Sequence, residues 1–370
     1  MDESIRDHGM MRLLVSAVLL AASLGLPARL LEGRAGRVLG AMMHHGPNDR
    51  DLARIERGYY EGLGNAMRRF DRTERASSGF DAGELAVSTN DAREFVLRPN
   101  LETMHKGVRW ATNSEGMRDR ERSIAKPPGT YRIVLVGDSI AAGWGVDLEQ
   151  GFARGLERIL DRPERRVEVL DLAVPGHAPG QRWEHFLRVG RRFEADLVIF
   201  EGSAADLEWD RRRMRAFVGR GLGFDSPVYS ELLRAAGIER GDSVETANRK
   251  LEPIRRNILP RVYRTIAESC RTEGIPVVWL LVPRVGKRVD PEARAGMVEC
   301  ARAAGFEHRI DLSSIFDGLD PARLSIGSDD FHPNAEGHSM IARELARALT
   351  DLDLDLEAGP VCPEMEGVSR

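Results

Sequence analysis

Lysine is almost missing from this chain. Only Lys106, Lys126, Lys250 and Lys287 occur, so arginine supplies nearly all of the 54 basic residues. The bias is one of composition and marks no anion site. A basic excess is missing as well: 58 acidic residues leave a formal net charge of -4 and a pI of ≈ 6.2, which gives no electrostatic footprint for a nucleic-acid partner. Cysteine is scarce, at three, and none of the three has the spacing of a zinc site or of a disulfide framework. Cys270 continues the apolar stripe Ile254, Ile258, Val262, Ile266, and Cys300 shares a helical face with Ala293 and Met297, so both read as core thiols. A bridge between the two stays open at this level, and Cys362 lies in the tail. No internal repeat is evident. What is present is a 42% hydrophobic content over 370 residues, enough for one large or two modest cores and too much for a chain disordered throughout.

Long hydrophobic runs are also lacking. The longest, Leu13 to Leu26, follows Arg12 and precedes Pro27-Ala28. At about 14 residues it falls short of the ~20 that span a bilayer and has the length of a signal-peptide core. The expectation is export to a periplasmic or other extracytoplasmic site, with residues 1–30 acting as a signal peptide or, if uncleaved, as a membrane attachment. Residues 31–129 form an extension. Within it Leu52, Ile55, Tyr59, Leu63 and Met67 recur at helical spacing, Phe70 to Ala92 reads as a linker, and REFVLRPN and KGVRWATNSEG read as two short strands that form a ribbon.

From residue 130 to 350, strands and helices alternate, the pattern of a parallel sheet covered by helices on both faces. Arg132 to Val136 is a β-branched apolar run without turn residues, a strand buried on both sides. Further strands are expected over Val167 to Val174, Ala195 to Phe200, Ile275 to Val282 and Ile310 to Leu312. Helices are expected from Phe152, around Trp183, over Ala247 to Cys270 with a kink at Pro260, over Pro291 to Ala304, and after Asn334. Residues 208–245 break the alternation and are expected to be an insertion over the site, its arginine run a solvated face. Residues 351–370 are acidic and expected to be disordered.

Open α/β sheets bind ligands at the carboxyl ends of their strands. The first buried strand ends at Gly137-Asp138-Ser139, so Ser139 stands where a nucleophile is expected. A serine hydroxyl needs a base, and the base needs a carboxylate to orient it. Asp329-Asp330-Phe331-His332, followed by Pro333 and an amphipathic helix, offers both. His332 would take the proton, and Asp329 or Asp330 would hold the ring.

With Gly-Asp-Ser at the first strand and Asp-x-x-His before the last helix, the chain resembles the SGNH or GDSL hydrolase family over Tyr131 to Leu349. Segments like NSEGMRDRE occur in a bacterial subset that it resembles. The resemblance implies a three-layer α/β sandwich with a mainly parallel, about five-stranded flavodoxin-like sheet, and a metal-independent, cofactor-free ester hydrolase. The implied substrate is a small acyl ester or an O-acylated glycan. It favours Asp329 as the orienting carboxylate and assigns the oxyanion to the backbone N–H groups of Ser139 and Gly176, with His177 beside the cleft. One departure stands out: after the third strand the family presents Gly-x-Asn-Asp, and aligning Asp206 puts Ala205 in the asparagine position. Ser203, or Asn113 from the extension, could supply the missing donor. Arg118 is a second polar candidate from the extension. An O-acetyltransferase and a glycan-binding protein that has lost catalysis are the alternatives.

Overall fold

The computed structural model describes residues 82–354 except 205, 329 and 353. The leader run, the helix expected over 48–69 and the tail beyond 354 lie outside the described residues. A sheet of five strands organises the rest: β5 (Thr130–Val136), β6 (Arg166–Asp171), β7 (Leu197–Gly202), β8 (Val277–Leu281) and β9 (His308–Asp311), in the order β6-β5-β7-β8-β9 and parallel throughout. Every residue of β5, β7 and β8 is buried, as expected of strands with helices on both sides.

Alternation along the strands divides the core in two. Val134 and Val136 of β5, Val198 and Phe200 of β7, and Trp279 and Leu281 of β8 pack in one cluster with α2 (Pro179–Arg188), α3 (Asp206–Val218), α4 (Ser230–Ala235), α5 (Val244–Leu251), α6 (Arg255–Glu273) and α7 (Pro291–Ala304). The intervening Ile133, Leu135, Ile199 and Leu280 are equally buried but belong to the opposite face. There α1 (Phe152–Leu160) and α8 (Ala335–Thr350) pack on each other. Asn334 caps α8 as its position suggests, accepting hydrogen bonds from the Glu336 and Gly337 N–H groups.

Three details differ from expectation. The two strands read as one ribbon belong to two: β2 (Phe95–Leu97) pairs with β1 (Ala86–Ser88), inside the supposed linker, while β4 (Val108–Ala111) pairs with β3 (Glu102–His105). Lys106-Gly107 is a two-residue hairpin turn, which pairs β3 with β4 over the shortest connection available. The helical stretch expected over 247–270 is two helices divided at Pro253, and Pro260 lies inside the second. Finally, residues 208–245 carry Met214, Phe217, Tyr229 and Leu232 into the main core. Arg213 is buried there too, donating to the Gly176 carbonyl and lying over the Phe95 and Trp209 rings. Cys270 is buried and Cys300 half-buried, and both are free thiols.

Among the described residues no helix is long and apolar enough to cross a membrane.

Candidate active site

The strand order reverses direction at β5, whose neighbours are β6 on one side and β7 on the other. A crevice opens at the carboxyl ends of strands at such a point, and Ser139 lies three residues beyond the end of β5. The chain turns tightly there. Ala142 N–H donates to the Asp138 carbonyl at 3.0 Å and Trp144 N–H to the Ser139 carbonyl at 3.0 Å. Gly137 has to be glycine, because a Cβ would sit 2.1 Å from Glu201 Oε2. That close approach lets the Glu201 carboxyl take the Asp138 N–H at 2.7 Å.

Beneath the turn lies a buried set of charges. Arg182 donates to Asp138 Oδ2 at 2.8 Å, to the Glu201 carbonyl at 2.8 Å and to Asp206 Oδ1 at 3.3 Å. Burial pushes the Glu201 carboxyl well above the usual carboxylate range, reinforced by the nearby Asp138 charge and opposed by Arg182. Asp206 Oδ2 also accepts the Ser203 N–H at 3.0 Å, which fixes the loop after β7.

His332 meets Ser139 from the far end of the sequence. Its Nε2 is 2.8 Å from Ser139 Oγ, and its Nδ1 is 2.5 Å from Asp330 Oδ1. Because the ionised Asp330 can only accept, Nδ1 carries the proton and Nε2 accepts from the serine hydroxyl. The histidine is held by its neighbours. Its own N–H donates to Asp330 Oδ1 at 3.0 Å, its carbonyl accepts from Ile326 N–H at 3.1 Å, and Phe331 stacks on its ring at 4.2 Å. Burial lowers the imidazole's pKa below the ordinary value; Asp330 opposes that pull without overcoming it. Asp330 itself is held well below the usual carboxylate range: burial pushes up, but the hydrogen bond and charge of His332, together with Lys106, prevail.

The carboxylate on the ring is therefore that of Asp330, while Asp329 lies outside the described residues. The reason is local: the backbone folds back so that the His332 N–H reaches the side chain two residues earlier. Gly176 has a φ of +81°, a value suited to glycine, and Arg213 fixes its carbonyl. Among the described residues neither the Gly176 N–H nor the Ser139 N–H has an acceptor. His177 is a strut: its buried ring is 2.8 Å from the Phe95 carbonyl through Nε2, and burial depresses its pKa well below the ordinary value. Asn113 is likewise committed elsewhere. Its Oδ1 takes the Glu115 and Met117 N–H groups at 3.0 Å and its amide donates to the Arg120 carbonyl at 2.9 Å, so it shapes its own turn. Ala205 lies outside the described residues, and Ser203 is buried.

Two residues of the extension contribute as well: Arg118, a polar candidate in the sequence, and Lys106, which sequence reasoning missed. Arg118 is buried against the Trp110 ring at 4.0 Å and donates to the Ala142, Gly143 and Val146 carbonyls, tying down the turn that carries Ser139. Lys106 Nζ lies 2.6 Å from Asp330 Oδ2. The signal that could have found Lys106 is its place before Gly107 between two short alternating segments, the mark of a hairpin tip. No group of residues able to hold a metal ion occurs among the described residues.

Solved structures similar to this chain include a two-domain esterase active on acetylated mannans, crystallised with mannopentaose (12% identity, TM-score 0.40, 60% of this chain and 49% of that one). TesA matches at 17% identity and a TM-score of 0.37 over 60% of this chain and 98% of its own. The acetylxylan esterase Axe2 from Geobacillus stearothermophilus matches at 16% identity and a TM-score of 0.37, over 59% of this chain and 94% of its own. The chain thus spans about half the length of the two-domain esterase. Comparison with curated protein sequences finds no match. Residues 135–340, more than half of the chain and reaching from the strand before Ser139 past His332, match the GDSL-like lipase/acylhydrolase family, and the chain belongs to that family.

Proposed function

We propose that this carboxylic ester hydrolase removes a small acyl group, acetyl being the simplest, through a Ser139–His332–Asp330 triad. The observation that carries this reading is the unbroken chain of contacts, 2.8 Å from Ser139 Oγ to His332 Nε2 and 2.5 Å from Nδ1 to Asp330 Oδ1. Ser139 Oγ attacks the ester carbonyl as Nε2 takes its proton. The oxyanion is received by the Ser139 and Gly176 N–H groups, and the protonated imidazole returns the proton to the leaving alcohol. Water then repeats the sequence on the acyl-serine. The lowered pKa of His332 keeps it neutral, the form in which it acts as a base. Without an asparagine at position 205 the oxyanion has two backbone donors, and the absence of a third costs about 10²- to 10³-fold in turnover.

The alcohol is proposed to be an O-acylated glycan met outside the cytoplasm. Support for the location is the Arg12-led apolar run Leu13 to Leu26, and cell fractionation of the full chain tests it. The function is tested by release of p-nitrophenol from its acetate ester by the full chain beside Ser139→Ala, followed by a panel of acetylated glycans. Hydrolysis lost in the variant is expected. Rates equal to the uncatalysed background in both, with every ester, would overturn the reading; acetyl appearing on an added glycan acceptor would turn it into a transferase.

A further inference from the structure

Lys106 occupies an unusual position. It is the first of the two turn residues between β3 and β4, with φ +50°, and Gly107 follows at φ +80°. Positive φ at both positions defines the tight hairpin turn whose twist matches that of the strands. Glycine and asparagine adopt that conformation readily, while a long side chain does so rarely. Backbone held in a sparsely populated region clusters at functional sites, and here it aims the ammonium group at the Asp330 carboxylate.

The contact to Asp330 is made through Oδ2. Asp330 Oδ2 receives Lys106 at 2.6 Å, while Oδ1 receives both the His332 ring and its N–H, at 2.5 Å and 3.0 Å. The carboxylate is thus gripped from two sides, and neither oxygen can rotate away from its donor without breaking the other contact. The Lys106 and Asp330 side chains are only 21% and 18% exposed, so the pair is partly shielded from solvent. The hairpin that carries Lys106 is itself anchored. His105 of β3 and Trp110 of β4 pack edge-on against Trp144, the ring that ends the Ser139 turn, at 4.3 Å and 5.5 Å.

We infer that Lys106 is a positioning residue for the triad, a fourth member that locks Asp330 with Oδ1 on the histidine ring. The inference rests on the proposed triad. Several charged or titratable groups bear on His332: Asp330 on its own loop, Lys106 from the β3–β4 turn, Asp138 from the end of β5 and His338 from α8. Of these only Lys106 both touches the carboxylate and opposes protonation of the ring. Its removal therefore releases the carboxylate and moves the imidazole pKa upward.

The test uses the full chain with Lys106→Met and Lys106→Arg. Two readouts are taken: kcat and KM for an acetate ester as functions of pH, and the titration of the His332 imidazole by NMR, assigned against His332→Gln. In Lys106→Met the His332 titration and the acid limb of kcat/KM move to higher pH, kcat falls roughly tenfold with KM little changed, and Lys106→Arg restores both. A merely structural role would lower thermal stability without moving the imidazole. Serine-dependent hydrolysis with an unchanged pH profile and titration in Lys106→Met would overturn the inference and leave the esterase reading standing. A shifted titration in a protein without serine-dependent hydrolysis would support the Lys106 coupling while removing the esterase reading.

Discussion

Replacing Asp330 by asparagine isolates what the carboxylate contributes, because the side chain keeps its shape and loses its charge. All three of its partners are donors: His332 Nδ1 at 2.5 Å and His332 N at 3.0 Å on Oδ1, and Lys106 Nζ at 2.6 Å on Oδ2. An amide presents one acceptor and one donor, so one side must fail. If the amide oxygen keeps the ring, the NH2 group faces Lys106, whose flexible stem can swing outward. The tautomer then survives and the loss is that of a negative charge about 4 Å from the imidazolium formed during reaction, about 4 kcal/mol at an effective dielectric constant of 20, or about 10³ in kcat. If the oxygen turns to Lys106, the NH2 group faces Nδ1, the ring proton moves to Nε2, and the histidine can no longer accept from Ser139; that tautomeric error costs about 10⁴. The expected fall is therefore about 10³- to 10⁴-fold in kcat. Because Asp330 supports the protonated ring, the acid limb of the residual activity also moves to lower pH. The assay is initial-rate hydrolysis of p-nitrophenyl acetate, with Ser139→Ala as the zero and Asp329→Asn beside it. Asp330→Asn within tenfold of the parent, with the large loss in Asp329→Asn, would refute the assignment and return the orienting role to Asp329.

The parent enzyme has an acid limb of its own. The base works when neutral, and burial sets its pKa below the ordinary histidine value of about 6.5. The pH profile of kcat/KM should thus hold its plateau into mildly acidic solution and fall only below that value; a limb centred above pH 7 would contradict the buried geometry. Arg118→Met should cost about 3 kcal/mol, since three buried carbonyls lose a charged donor. For a domain of this size that is a drop of about 6–12 °C in the melting midpoint, read by circular dichroism, and an unchanged midpoint would show that the Ser139 turn does not lean on this guanidinium.

The parts of the fold that could be read from sequence are those whose cause is local. The β-branched run before Ser139, the helix opened by Pro291 and the cap at Asn334 each depend on a handful of adjacent residues, and each occurs where the pattern puts it. Ser139 and His332 likewise stand just past a strand end and just before a helix start, places that the local pattern marks. What escaped was decided by tertiary competition. Residues 329 and 330 are both aspartate, and only the backbone path that brings the His332 N–H onto Asp330 tells them apart. Arg213 looks like part of a solvated run in sequence, but the Gly176 carbonyl and two aromatic rings make its burial favourable. His177 and Asn113 have side chains suited to a cleft and are claimed by main-chain groups nearer to hand.

The segment that matches the family begins at residue 135, yet the groups that steady its reactive loops come from before that point. The turn after Ser139 is held by Arg118. The turn at Gly176-His177 is pinned through the His177 ring to the Phe95 carbonyl of β2. The loop that presents His332 is met at Asp330 by Lys106, from the tip of β3–β4. Each of these three loops is thus tied to the extension, through a different side chain in each case. Loops at the ends of strands are ordinarily the mobile part of an open α/β sheet. On the proposed mechanism the oxyanion has two backbone donors, which raises the value of keeping those donors fixed, because electrostatic stabilisation comes from dipoles already in place when the charge develops. On that reading Lys106, Arg118 and the Phe95 carbonyl would let the extension hold the reactive loops in place without an atom of it touching the substrate.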